Sequence, residues 1–236
     1  MKRVAVIPAL DEEGAIAGVV RGIRPHVDVV VVVDNGSRDA TAARARDAGA
    51  DVVREPRRGY GAACLAGVAR ARALGAGVVL FLDGDGSDDP DDALRLLAPV
   101  EQGEADLVLG VRARVARGAM APVQRFGNWF APLLMRLTVG ADYHDMPPFK
   151  AVSMTALDRL ALDDPGMGYI IQMLLRSHSL GLRVVEREVA CHPRRAGASK
   201  VSGTVVGTAR ASAKILWAIG RHAAGQQLRA GRRASG

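Results

Sequence analysis

The sequence predicts an α/β fold, one domain with a mostly parallel central sheet and helices on both faces. Three observations lead there. Short apolar, β-branched runs alternate with helical patterns through the first half of the chain. The runs are continuous rather than alternating in polarity, VDVVVVV (Val27–Val33) above all, as strands buried on both faces are. Three of them end in acids: Asp11 and Glu12, Asp34, then Asp83 and Asp85. In open α/β sheets, ligands bind at the carboxyl ends of strands near a switch in strand order.

Taken in order, Lys2–Ala9 (KRVAVIPA) is the first strand. Asp11-Glu12-Glu13 open a helix whose apolar positions Ile16, Val19, Val20 and Ile23 keep helical spacing, and Pro25 stops it. Val27–Val33 is a central strand, followed by Asp34-Asn35-Gly36-Ser37, a short Ala/Arg helix (Ala40–Ala48) and a brief strand, Asp51–Arg54. A basic, glycine-containing loop, EPRRGYG, leads to a helix ending at Leu74. The fourth strand, Val78–Leu82, runs into DGDGSDDPDD and a helix to about Val100. Asp88 and Asp89 read as caps of that helix, ahead of Pro90.

The second half is less regular. Asp106–Val111 is a strand leading to Arg112. Ala121-Pro122 open an amphipathic helix carrying Phe126, Phe130, Leu133, Leu134 and Leu137. A loop with Tyr143-His144-Asp145 precedes a short strand, Phe149–Val152. Helices follow near Met154–Leu160 and Tyr169–Leu180, then a last strand, Leu182–Cys191, whose alternation suits an edge or antiparallel position. With no repeat or linker, residues 1–200 form one domain. Residues 201–225 form an amphipathic helix that either packs on it or lies at a membrane surface with Trp217 at headgroup level, and 226–236 are a disordered basic tail.

Composition narrows the function. Of 236 residues, 49% are hydrophobic and only 4% aromatic, which suits a Val/Leu/Ala core and excludes a fibrous or disordered chain. The net charge of +7 points to an anionic partner: phosphorylated substrate, membrane surface or nucleic acid. Few aromatics and dispersed basic residues argue against nucleic acid. Cys64 and Cys191 lack disulfide or zinc spacing and read as buried neutral thiols, in keeping with the cytoplasm. Met1-Lys2-Arg3 precedes an apolar stretch broken by Pro8, neither signal peptide nor membrane span. Neither a G-x-G-x-x-G after the first strand nor a P-loop motif is present, which disfavours dinucleotide oxidoreductases and P-loop NTPases. The acidic Pro8–Glu13 turn also disfavours a nucleotidyltransferase, which opens with a glycine-rich basic loop.

Asp83 and Asp85 carry the chemistry. Side chains two apart in extended backbone point the same way, and Gly84 and Gly86 let the chain bend closely around a shared point. Two carboxylates at the end of a buried strand repel unless a cation sits between them. Hard oxygen ligands of this kind suit Mg²⁺ or Mn²⁺ shared with a phosphate-bearing substrate.

With VAVIPALDEE, VVVVDNGSRDAT, the Gly59–Ala63 turn, VLFLDGDGSDDP, DMPPFKAVSMTAL and RRAGASK in this order, the chain resembles family 2 glycosyltransferases, and most of all the dolichyl- and polyprenyl-phosphate sugar synthases. The resemblance implies a GT-A (Rossmann-like) fold, a UDP- or GDP-sugar donor, a divalent metal and inversion at the anomeric carbon, with a hexose passed to a lipid phosphate. It assigns Pro8, Leu10 and Glu12 to the nucleotide pocket, Asp34 and Ser37 to the base or ribose, and Asp83 and Asp85 to the metal. Arg112, Arg125, Arg195, Ser199 and Lys200 would face donor or acceptor phosphates. Asp145 would approach the sugar or metal and is the best candidate for a general base, with His144 second. A soluble small-molecule acceptor is the alternative, and peripheral contact with the inner membrane face accompanies the lipid reading.

The chain departs from the family pattern at three places. Leu10-Asp11 replaces the usual Tyr-Asn, Asn35 replaces a second Asp and lowers negative charge near the base, and Gln172 stands where lipid-phosphate relatives carry Glu. Asp34 also suits an Asx turn with Gly36. The oligomeric state is not legible.

Overall fold

The computed structural model describes residues 1–115, 135–137 and 140–195. Within them a seven-stranded sheet runs in the order β3-β2-β1-β4-β6-β5-β7. The strands are β1 (Arg3–Ala9), β2 (Val29–Asp34), β3 (Asp51–Arg54), β4 (Val78–Phe81), β5 (Leu107–Val115), β6 (Lys150–Ser153) and β7 (Val184–Cys191). All pairings are parallel except those of β6, which runs antiparallel to both β4 and β5. The last strand is at an edge, as its alternation predicts, but it is parallel to β5.

Period-two alternation along each strand divides its side chains between two cores. Val4 and Val6 join Val31, Val33, Val79 and Phe81 under α3 (Tyr60–Ala73), α5 (Met154–Leu160) and α6 (Gly168–Ser179). Ala5 and Ile7 join Val30, Val32, Val78 and Leu80 under α1 (Ile16–Ile23), α2 (Thr41–Asp47) and α4 (Ala93–Glu101). Each face is thus covered by helices, and the strands read as unbroken apolar runs because neither face meets water. Cys64 and Cys191 are buried free thiols, and burial pushes the Cys64 thiol up to about 12.

Helix starts differ from expectation. The acids Asp11–Glu13 lie outside α1, which begins at Ile16 with no side-chain cap. They are engaged instead by the β2–α2 connection: Ser37 Oγ and Thr41 Oγ1 accept from the Asp11 and Glu12 amides, at 3.0 and 2.8 Å. Pro25 sits in a single 3₁₀ turn that closes α1, as expected of a residue without an amide hydrogen. Asp89 accepts from the Asp91 amide and caps the turn before α4, but Asp88 does not. Asp88 folds back to accept from the Asp83 amide at 3.0 Å, a correction to its reading as a helix cap.

The sheet's carboxyl edge gathers the ends of β1, β2, β4, β5 and β7 with the start of β6, because Phe81 at the end of β4 faces Lys150 across the antiparallel pair. Strand order switches direction between β1 and β4, so Glu12 and Asp83–Asp85 flank the crevice there. The helix α3 lies close on this part of the sheet because Gly67 has no side chain: a Cβ there would press on Val6 and Val33. Gly67→Ala is therefore expected to destabilise the protein by about 1–3 kcal/mol, the usual cost of overpacking, as read by denaturant unfolding.

Candidate active site

The site is built on the turn after β4. Gly86 takes φ +78°, a conformation that favours glycine, and Asp85 Oδ1 accepts the Ser87 amide at 2.9 Å. Asp85 and Asp88 are buried, and Asp83 is half-buried at the strand end. The Asp83 carboxylate accepts no hydrogen bond among the described residues. Burial, with Asp88 and Asp85 alongside, pushes it up from 3.8 to about 8. Burial and Asp85 raise Asp88 to about 6 against the Asp83 amide hydrogen bond. Asp83, with no hydrogen-bond donor on its carboxylate among the described residues, and Asp85 two residues on are hard oxygen donors of the kind that take a divalent cation, so the residues present fit Mg²⁺ or Mn²⁺ on Asp83 and Asp85.

Cations ring the acids. Lys150 is fully buried under the loop before β6, donating to the Pro147 and Pro148 carbonyls at 3.2 and 3.0 Å with its ammonium 5.3 Å from the Phe81 ring centre. Burial pushes its pKa down, while Cys64, Asp83 and Asp88 oppose that. Arg112, from β5, forks onto Asp145: Nε to Oδ2 at 2.8 Å and Nη2 to Oδ1 at 2.6 Å. The Met146 amide also donates to Asp145 Oδ1, at 2.7 Å. Both Asp145 oxygens are therefore bound, and in this conformation Asp145 orients Arg112 rather than offering a free lone pair to an acceptor. His144 is exposed, and its hydrogen bond to Glu186 at 2.6 Å raises its pKa, which favours imidazolium over a base.

The residue that sequence reasoning missed is Arg194. It donates from Nη1 to Asp85 Oδ2 at 2.7 Å and from Nη2 to Glu12 Oε1 at 2.5 Å, joining the β1 and β4 ends. The segment carrying it lies along the acidic turn: the His192 amide donates to the Ser87 carbonyl and the Arg195 amide to the Asp85 carbonyl. Arg195 lays its own side chain against Gly86 and reaches Gly18 of α1, so it is not among the side chains gathered on the acids. The sequence signal was the Arg194-Arg195 pair just past a strand end; which of the two turns inward was not encoded locally.

On the nucleotide side, Pro8 pairs with Val33 in the sheet and Leu10 follows the strand. Asp11 takes φ +51°, an uncommon conformation that Asp tolerates, with Oδ1 accepting the Arg38 amide at 2.8 Å. Asp34 is buried and makes the turn that its sequence suits, accepting the Ser37 amide on Oδ1 at 2.9 Å. Asn35 turns away from that position. Its amide nitrogen donates to the Glu55 and Arg57 carbonyls and its oxygen accepts the Gly59 amide, so it braces the basic loop in a way a carboxylate could not. Gln172 likewise uses both ends, accepting the Asp163 and Asp164 amides and donating to Asp163. The α3 N-terminus is no anion site, because its Gly61 and Ala62 amides donate to the Gly166 and Pro165 carbonyls. Arg125, Ser199, Lys200, most of the amphipathic helix and everything beyond 195 lie outside the described residues.

The chain is similar to known glycosyltransferases in sequence and in fold. The glycosyl transferase family 2 profile matches residues 4–160. An uncharacterized glycosyltransferase of Mycobacterium tuberculosis is 39% identical over 203 residues, covering 86% of this chain and 91% of that protein. An undecaprenyl-phosphate mannosyltransferase of Micrococcus luteus is 33% identical over 225 residues, covering 89% and 91%. Among solved structures, glucosyl-3-phosphoglycerate synthase from M. tuberculosis in complex with Mn²⁺, UDP-glucose and phosphoglyceric acid superposes with a TM-score of 0.74 at 25% identity, over 93% of this chain and 80% of that one.

The raised Asp83 has a measurable consequence. Between the ordinary carboxylate value and about 8, the folded protein keeps a proton that the unfolded chain has released. Stability without metal therefore falls as pH rises through that window. Asp83→Asn removes the penalty: in chelator it is expected to melt close to wild type near about pH 4 and several degrees higher near about pH 8.5. Equal melting temperatures at both pH values would remove the electrostatic account of the cluster.

Proposed function

This chain belongs to glycosyl transferase family 2, and from that premise we propose that it is an inverting, metal-dependent hexosyltransferase passing sugar from a UDP- or GDP-sugar to a polyprenyl-phosphate-type acceptor. The observation that carries the reading is the gathering at one sheet edge of three carboxylates, Asp83, Asp85 and Asp88, with the cations Arg112 and Arg194; Arg194 pairs with Asp85 and Arg112 with Asp145, and Asp83 has neither. Such a pairing suits a metal-bridged diphosphate rather than a neutral ligand.

The residues divide the work. Glu12 and Asp34 line the nucleotide side at the ends of β1 and β2, with Pro8, Leu10 and Ser37 shaping the pocket. Asp83 and Asp85 would hold the divalent ion, which when bound neutralises charge on the leaving diphosphate. Arg112, oriented by Asp145, presents guanidinium hydrogens to phosphate oxygens. As the bond from the anomeric carbon to the diphosphate oxygen breaks, its electrons pass to the leaving group, so these cationic contacts strengthen in the transition state. The acceptor oxygen forms its new bond from the opposite face, giving inversion.

Two observations favour a phosphate acceptor. Asp145 is occupied by Arg112, and an ionised phosphate oxygen needs no general base. The Micrococcus luteus relative is named for undecaprenyl phosphate. A lipid acceptor would bring the chain to a membrane surface, where a net charge of +7 suits anionic headgroups; no helix among the described residues is long and apolar enough to cross one. A soluble phosphorylated acceptor is the second reading, favoured by the fold's likeness to glucosyl-3-phosphoglycerate synthase.

The test follows radiolabelled sugar from UDP- and GDP-donors with Mn²⁺, offered polyprenyl phosphate or phosphoglycerate. Label is expected in the lipid extract, and Asp85→Asn is expected to lower the rate by at least about 100-fold while the protein stays folded. Label confined to phosphoglycerate would replace the lipid reading with the soluble one.

A further inference from the structure

The Arg194 fork has a feature that a purely structural arginine lacks. Its two terminal nitrogens are shared between carboxylates from different strand ends, yet its Nε is buried with no hydrogen-bond partner among the described residues. The guanidinium has therefore given up water at Nε without a protein replacement, which costs stability and leaves the contact less than optimal. Its side chain is 26% exposed, so a path to solvent exists. The backbone beside it is anchored independently, through the His192 and Arg195 amides on Ser87 and Asp85. The side chain can leave without the segment undocking.

The contact also sits in the acidic turn itself. Asp85 shares its turn with Asp83 and Asp88, so three carboxylates lie within six residues of chain, and the Asp88 carboxylate folds back onto the Asp83 amide. A single delocalised charge on Arg194 answers two carboxylates. A divalent ion on the same oxygens carries twice the charge at a shorter approach, so the guanidinium and the ion repel each other and compete for Asp85, and the ion is the stronger competitor.

We propose that Arg194 is an exchangeable counter-ion: in the donor-free protein its guanidinium bridges Glu12 and Asp85 in place of a divalent cation, and cation binding at Asp85 displaces it. This rests on the metal reading of the site given above. It makes Arg194 a negative regulator of metal binding, setting the cation concentration at which the empty site loads. A contact closed nine-tenths of the time weakens apparent cation affinity by about tenfold.

The experiment titrates full-length protein, without nucleotide, with Mn²⁺ and reads free Mn²⁺ by electron paramagnetic resonance; melting in chelator is measured in parallel. Arg194→Gln is expected to bind Mn²⁺ about tenfold tighter than wild type while melting lower in chelator, because the two acids lose the guanidinium that bridges them. Arg194→Lys, a point charge that cannot fork across both carboxylates, should fall between the two, and it carries the test if the Gln variant fails to fold. A merely structural arginine would lower both readouts together, so unchanged or weaker Mn²⁺ binding in the Arg194 variants, with binding abolished in Asp85→Asn, overturns the exchange and leaves the metal site standing. Absence of Mn²⁺ binding in every form, with UDP or GDP added, overturns the metal reading and the exchange with it.

Discussion

Electrostatic repulsion at the end of β4 is the constraint around which the site is arranged. Asp83, Asp85 and Asp88 share a turn largely withdrawn from water, and two of them hold their protons far above the ordinary carboxylate range. Carboxylates so placed are unstable as a bare cluster. The chain answers from three directions: Lys150 beneath, from the start of β6; Arg112 from β5; and Arg194 from the segment after β7. None of the three donates to Asp83: Lys150 donates to the Pro147 and Pro148 carbonyls, Arg112 to Asp145, and Arg194 to Asp85 and Glu12. The charge left over is what a divalent ion on Asp83 and Asp85, as proposed above, would answer.

Topology explains why the answering cations come from so far along the chain. Parallel strands β1, β2, β4, β5 and β7 all finish at one edge, so anything just past a strand end arrives at the same rim. The antiparallel β6 is the exception that serves the site. Running the other way, it begins at that rim and brings Lys150 directly opposite Phe81, beneath the acids. A parallel sixth strand would have placed its first residue at the far edge. The same rule joins Arg194 to Glu12 across 182 positions of sequence.

That distance also marks the boundary of what the sequence could show. The strands were legible because Val and Ile runs announce burial on both faces, and the acidic turn was legible because Asp83-Gly84-Asp85 is local. Boundaries moved where backbone pairing, rather than side-chain pattern, decides: by one residue at β6, and from Val111 to Val115 at the end of β5, where pairing with β7 continues past the apolar run. Pairings between distant segments left no local trace. Nothing near Asp88 says that it bonds backward to Asp83 rather than forward as a cap, and nothing near Asp145 says that Arg112 will occupy it. Asn35 and Gln172 are instructive in another way. Each stands where the family pattern has a carboxylate, and each uses an amide's donor as well as its acceptor, so the substitution changes which loop is braced rather than only the local charge.

The acceptor question turns on the same geometry. A hydroxyl nucleophile must lose a proton as it attacks, and the acid best placed to take it has both oxygens bound by a guanidinium. Releasing Asp145 for that task would free Arg112 from its support at the moment when charge on the leaving diphosphate calls for it. The histidine next to it is held toward imidazolium by Glu186 and is better suited to meet an anion than to accept a proton. A phosphate acceptor avoids this conflict, because its nucleophilic oxygen is already ionised and each cation keeps its post. The local economy of charge thus leans toward the acceptor that the lipid-phosphate relative's name suggests, for a reason independent of that name.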